Sequence, residues 1–183
     1  MIRFKGSVEH TKDTIHVLYK TTYEIYEPRR VILRMFVGFL MVIAGIFLTL
    51  PMIIQGILFM GGTWLMVSRD FPAKIMASEA LEKRGDNLPT LITEFHERFM
   101  MLQDGSSIKL QYKDIEHLVE EEKLIILFFS KDSAVVISKD TLEGGTLEEF
   151  MAFLEKITNL PFRKIQSWFR MSIRDLYRLM KKS

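Results

Sequence analysis

Four short constellations in this 183-residue sequence carry side chains that could do acid–base, metal or phosphate chemistry. His96-Glu97 and Glu116-His117 each set an imidazole beside a carboxylate, the pairing used by general bases and divalent-metal sites. Both lie in stretches that read as strand, where adjacent side chains point to opposite faces, so neither pair can act together. Glu120-Glu121-Glu122 offers hard oxygen ligands of the kind divalent cations take, but a lone acidic run between two strands reads as a solvated turn. Gly144-Gly145-Thr146 has the outline of an anion cradle ahead of a helix. Glu143, Glu148 and Glu149 would repel a phosphate there, and Thr146 with Glu149 has the spacing of a capping box. G-x-x-x-x-G-K-[ST], G-x-S-x-G and H-E-x-x-H do not occur. The expectation is a non-enzymatic protein with no catalytic set, no metal and no cofactor. With no cysteine in the sequence, disulfides and thiolate metal sites are excluded.

The elements that would position these residues follow from a segregated composition. All 48 Asp, Glu, Lys and Arg residues lie outside Met35 to Val67. A bilayer is the expected solvent for that block. One straight helix through it would be about 50 Å long, against a hydrocarbon core of about 30 Å. Pro51, near its middle, cannot donate an amide hydrogen bond, so the reading is a transmembrane helical hairpin over 31–68, turning at Thr49-Leu50-Pro51. Gly38 and Gly45 share one helix face, and Gly56 and Thr63 another, where the two helices could approach closely. Arg34, one turn inside the entry, has a stem long enough to carry its guanidinium back to the headgroups. Arg29, Arg30 and Arg34 precede the block, Arg69 and Lys74 follow it, and the turn is uncharged. The positive-inside bias therefore places both termini in the cytoplasm of a multi-pass protein of the inner or plasma membrane.

Residues 1–30 read as a strand, Ile2 to Val8, and a helix, Thr11 to Tyr26, closed by Pro28. A juxtamembrane helix is expected over 71–87. From Leu91 the apolar period changes to two. Phe95, Phe99 and Met101 recur at even offsets, Asp104-Gly105 supplies a turn, and Ile108, Leu110 and Tyr112 alternate with Lys109 and Gln111. Short strands at Ile115 to Val119, Leu124 to Phe129 and Ala134 to Ser138 complete an antiparallel meander. A helix with Phe150, Phe153, Leu154 and Ile157 on one side closes the 90–160 domain.

Net charge sharpens this division. Glu79 to Asn159 sums to −8 and Leu160 to Ser183 to +6, so a nucleic acid is not an expected partner of the acidic domain. Residues 161–183 read as a basic amphipathic helix. Arg163, Lys164, Trp168, Phe169, Arg170, Arg174 and Arg178 are its candidate membrane-interface residues, drawn to anionic headgroups by charge and held by apolar insertion.

This arrangement resembles the YcxB-like family of small bacterial membrane proteins. Tyr112, Asp114 and Ile115 fit its aromatic-x-Asp-Ile element, Ala134, Ile137 and Lys139 its late strand and lysine, and Gly144 or Gly145 with Phe150 its turn and closing helix. The resemblance implies an α+β membrane protein whose small cytoplasmic antiparallel β domain is similar to the pleckstrin-homology superfold. It implies no reaction. The expected function is binding a protein or peptide partner, or sensing the lipid surface, from a bilayer anchor. Homo-oligomers are compatible with it, and a transporter or channel subunit assembled from hairpins is the alternative.

Overall fold

The computed structural model describes residues 2–68, 71–84, 90–104 and 106–164. Among these residues it is a mixed α+β chain with five α-helices and two four-stranded sheets. Two compact units share it: Met1–Val8 joins the residues from Thr90 onward, and Glu9–Pro89 forms the other.

The second unit is helical. In α1, Lys12–Tyr26, the Thr11 side chain accepts the Thr14 amide at 3.2 Å and so caps the first turn. Pro28 does not simply close α1. It opens α2, Pro28–Phe47, because a first-turn position needs no amide donor and proline's fixed φ suits it. α3 is Met52–Val67 and α4 is Phe71–Arg84. α1 packs along α4 through small buried side chains, Thr21 and Thr22 on one helix and Ala73 and Ala77 on the other.

α2 and α3 pack against each other over most of their length. A Cβ on Gly38 would lie 2.9 Å from the Gly62 carbonyl oxygen, and one on Gly62 would lie 2.6 Å from that of Gly38. Gly45 faces the Gln55 carbonyl oxygen at 3.0 Å in the same sense. The expected α2 face is therefore the contact face. The α3 face is not: a Cβ at Gly56 would meet nothing within 4 Å, and Thr63 is exposed. The turn rotates α3 so that Gly62, one residue earlier than Thr63, meets α2. One helix, α2, is long and apolar enough by itself to cross a membrane, whereas α3 has 16 residues. The expected pair of full-length spans thus becomes one helix of spanning length with a shorter partner.

The other unit holds the sheets. β1 (Ile2–Glu9), β2 (Thr90–His96), β3 (Met100–Asp104) and β4 (Ser106–Leu110) form one, in that order. β5 (His117–Glu120), β6 (Leu124–Ser130), β7 (Ser133–Ser138) and β8 (Phe162–Lys164) form the second, ordered β7-β6-β5-β8. α5, Leu147–Thr158, carries the expected capping box, and Phe150, Phe153 and Leu154 are buried with Phe4, Phe95, Met100, Leu118 and Ile137 in one core.

Three expectations in this unit are corrected. Phe95, Phe99 and Met101 do not share one strand, because Phe95 pairs with Met100 across a tight reversal at Glu97-Arg98 and both are fully buried. Tyr112 leaves the β4 alternation for a 3₁₀ turn, Tyr112–Asp114, that buries its ring. Phe162–Lys164 is not the start of a helix but a strand parallel to β5, with Leu118 opposite Phe162 and Glu120 opposite Lys164. α5 ends at Asn159 in the left-handed conformation, the Phe162 amide donates to the Glu155 carboxylate at 3.0 Å, and the open edge of β5 takes the next three residues. The rest of the expected tail helix, from residue 165, lies outside the described residues, as do residues 85–87 of the juxtamembrane helix.

Candidate functional site

β1 reaches the globular unit from the far end of the sequence and brings two side chains to α5. Phe4 is buried edge-on to Phe150, with centroids 5.2 Å apart, and tilted against Phe153 at 5.5 Å. The neighbouring Arg3 leaves the exposed face of the strand but curls back, so that its guanidinium lies 4.8 Å from the centre of the Phe153 ring and 6.0 Å from that of Phe4. Gly144 permits this approach. It sits at φ +100°, and a Cβ there would strike the Arg3 carbonyl oxygen.

Between these elements lies an open groove of about 720 Å³. Phe4, Phe153 and Ile157 give it an apolar floor, and Arg3, Lys156, Glu97 and Glu149 give it two cations and two carboxylates. Glu149 is already engaged, accepting the Thr146 amide at 2.9 Å in the capping box. The lining residues include no histidine, serine, threonine or cysteine side chain. The groove thus combines an apolar floor with charges of both signs on its walls.

Tyr112 braces the groove from behind. Its ring stands edge-on to Phe153 at 5.8 Å, and its hydroxyl donates to the His96 carbonyl oxygen at 2.6 Å. Burial pushes the phenol well above its ordinary range, partly offset by the nearby Arg3 charge. The hydroxyl ties the 3₁₀ turn to the end of β2. His96 stacks on Phe99 at 4.6 Å, and the Lys109 ammonium lies 4.1 Å over the other ring of that stack.

The two acid–imidazole pairs do not sit within strands as expected: His96 ends β2 with Glu97 in the following turn, and His117 begins β5 with Glu116 just before it. Glu97 lines the groove, whereas His96 Nε2 lies 3.9 Å from a carboxylate oxygen of Glu94, two residues back on its own strand. That same-face pair could have been found from the spacing of two. His117 is held below its ordinary value, first by burial and then by Arg163, with Glu116 opposing. Among the described residues no group of three His, Cys, Asp or Glu side chains could hold a metal ion.

Of the candidate membrane-interface residues, Arg163 and Lys164 stand on β8, while Trp168, Phe169, Arg170, Arg174 and Arg178 lie outside the described residues. Lys164 meets Glu120 at 3.2 Å, and Lys139 donates to the other Glu120 oxygen at 2.8 Å. The two hydrogen-bonded ammonium groups, Lys139 foremost, hold the Glu120 carboxyl below the usual carboxylate range despite its burial. Glu120, read from sequence as part of a solvated turn, is thus the joint between the second sheet and the root of the tail.

Tyr112, Ile115, Ile137 and Phe150 all face this one core, and they stand within the segment that decides the resemblance. Residues 95–154 match the family model of the YcxB-like proteins. The YcxB-like segment thus runs from Phe95 in β2 through Leu154 in α5 and includes one groove residue from the β2–β3 turn and several from α5, but neither Arg3 nor Phe4. No curated protein and no solved structure matches the chain.

Proposed function

We propose that this chain is a membrane-anchored, non-enzymatic protein whose YcxB-like unit binds a protein or peptide in the Arg3–Phe153 groove. One observation carries the anchor. Around the α2–α3 pair, Ile32, Leu33, Phe36, Phe39, Ile46, Phe47, Met52, Ile53 and Met60 are each more than half exposed with one another as neighbours. Soluble proteins rarely leave so continuous an apolar surface uncovered, whereas hydrocarbon covers it without cost. Both termini then lie on the cytoplasmic side of the inner or plasma membrane, as the arginines in the first two turns of α2 favour. Trp64, stacked edge-on with Phe71 at 5.5 Å beside Arg34, suits the headgroup level at the open end of the hairpin.

A pleckstrin-homology-like fold is the reading we favour for the globular unit. Seven strands in two sheets followed by a closing helix support it. The basic tail adds a contact with anionic headgroups, on sequence grounds. The channel-subunit alternative is weaker, because the polar side chains it needs are spent inside the hairpin. Gln55 donates to the Leu48 carbonyl at 2.8 Å, and Thr63 donates to the Phe59 carbonyl at 2.8 Å.

The test has two arms. Full-length protein should stay with membranes through alkaline carbonate washing, and release into the wash would remove the anchor. A photo-crosslinking residue at Lys156 should capture a polypeptide that the same residue at exposed Ser133 does not; an identical pattern at both would remove the groove.

A further inference from the structure

The hairpin is shorter than the membrane it is proposed to enter. At its open end Arg34 of α2 donates to the Ser68 hydroxyl, the C-cap of α3, at 2.9 Å, and its guanidinium lies 5.7 Å from the Trp64 ring. This contact ties the charge to the end of α3 instead of leaving it free to reach outward, and so marks one polar boundary for both helices. From that level to the turn, α3 supplies 16 residues, or about 24 Å of helix. The hydrocarbon layer is about 30 Å thick, and any tilt shortens the reach further.

The tip is built for the same depth. Phe47, Leu48, Met52 and Ile53 are 77%, 52%, 89% and 78% exposed, and no charged residue stands near them. In a loop emerging on the far side these four would face water or headgroups. Within the bilayer the peptide groups become the difficulty instead, since irregular backbone in hydrocarbon needs internal partners. Here the turn supplies several of them. The Leu48 carbonyl accepts both the Gln55 side-chain amide at 2.8 Å and the Leu50 amide at 2.9 Å. The Leu48 amide is bonded to Ala44, the Pro51 carbonyl accepts from Ile54 and Gln55, and Pro51 has no amide hydrogen to satisfy.

We infer that α2 and α3 form a re-entrant wedge: the pair enters from the cytoplasmic face, its tip ends in the hydrocarbon short of the far headgroups, and the chain presents no loop outside the cell. The occupant of the exposed tip is lipid acyl chain. This rests on the membrane reading and replaces the spanning hairpin expected from the sequence with one inserted from a single side.

The absence of cysteine makes the test direct. Thr49→Cys in the turn and Ser133→Cys on β7, each in the otherwise native full-length chain, are exposed to a charged, membrane-impermeant maleimide in intact cells and in inside-out vesicles. The wedge predicts that Thr49→Cys reacts in neither preparation and reacts fully once detergent dissolves the membrane. Ser133→Cys should react in the inside-out vesicles without detergent. Labelling of Thr49→Cys in intact cells would overturn the wedge and leave a spanning hairpin. Labelling of Thr49→Cys and Ser133→Cys to the same extent in inside-out vesicles would overturn the insertion itself.

Discussion

If the N-terminal strand belongs to the globular unit, one ring at position 4 should matter to a core assembled about 90 to 150 residues downstream. Phe4 is 4% exposed and packs on Phe150 and Phe153, and Phe150 in turn stands edge-on to Phe95 at 4.8 Å. Phe4→Ala removes a buried ring from a site bounded by other rings and backbone that can collapse little, so the cost should be about 3–5 kcal/mol. That is a large share of the roughly 5–15 kcal/mol available to a domain, and two to three and a half powers of ten in the folding equilibrium. A minimal chain for the measurement replaces residues 9–89 with a flexible Gly/Ser linker of about ten residues and stops at Lys164. Urea unfolding followed by far-UV circular dichroism should show the midpoint falling with an unchanged slope. Ile2→Ala, on the same strand but 49% exposed, should change stability by less than about 0.5 kcal/mol. Equal stability of the Phe4→Ala and Ile2→Ala chains would refute the assignment of β1 to this core.

Three other outcomes follow from named contacts. Tyr112→Phe deletes the donor to the His96 carbonyl and should cost about 1–3 kcal/mol in the same unfolding assay, with the apolar packing on Phe153 retained. Glu120 has a folded-state pKa below its unfolded one, so its contribution is present above the unfolded carboxylate value and lost as pH falls through the lower folded value; Glu120→Gln should flatten that acid limb in a stability–pH profile. Gly62→Leu forces a side chain against the Gly38 carbonyl and should separate α2 from α3, measured as a lowered thermal unfolding midpoint of the full chain in detergent, whereas Gly56→Leu, at an open position, should leave that midpoint unchanged.

Local signals were legible in the sequence and distant ones were not. The Thr146–Glu149 capping box needs only four consecutive residues, and it forms as read, with reciprocal hydrogen bonds of 3.2 and 2.9 Å. Gly38 and Gly45 were correctly placed on the contact face of α2 because seven residues is nearly two whole helical turns. Gly62 was missed because the side of α3 that meets α2 depends on how the turn rotates the helix, which spacing within α3 does not encode. The β2–β3 reversal carries Glu97-Arg98 in place of glycine, asparagine or proline, and the chance alternation of Phe95, Phe99 and Met101 masked it. β8 was invisible for another reason: three residues of a basic amphipathic pattern became strand because the β5 edge, about forty residues earlier, lay open beside them.

The groove belongs to the same class of non-local feature, and the match to the YcxB-like segment is narrower than the folding unit that builds it. The matched segment carries Glu97, Glu149 and Phe153, but Arg3 and Phe4 lie on the other side of the helical insertion between β1 and β2. The chain must therefore lay down β1, make all of α1 to α4, and produce α5 before Phe4 meets Phe150. Closing so long a loop costs little more than closing one of half the length, since the entropy grows only with the logarithm of length. It does delay the contact, because Phe4 has no core to enter until residue 150 exists. The helical unit is consequently complete in sequence before the groove can form.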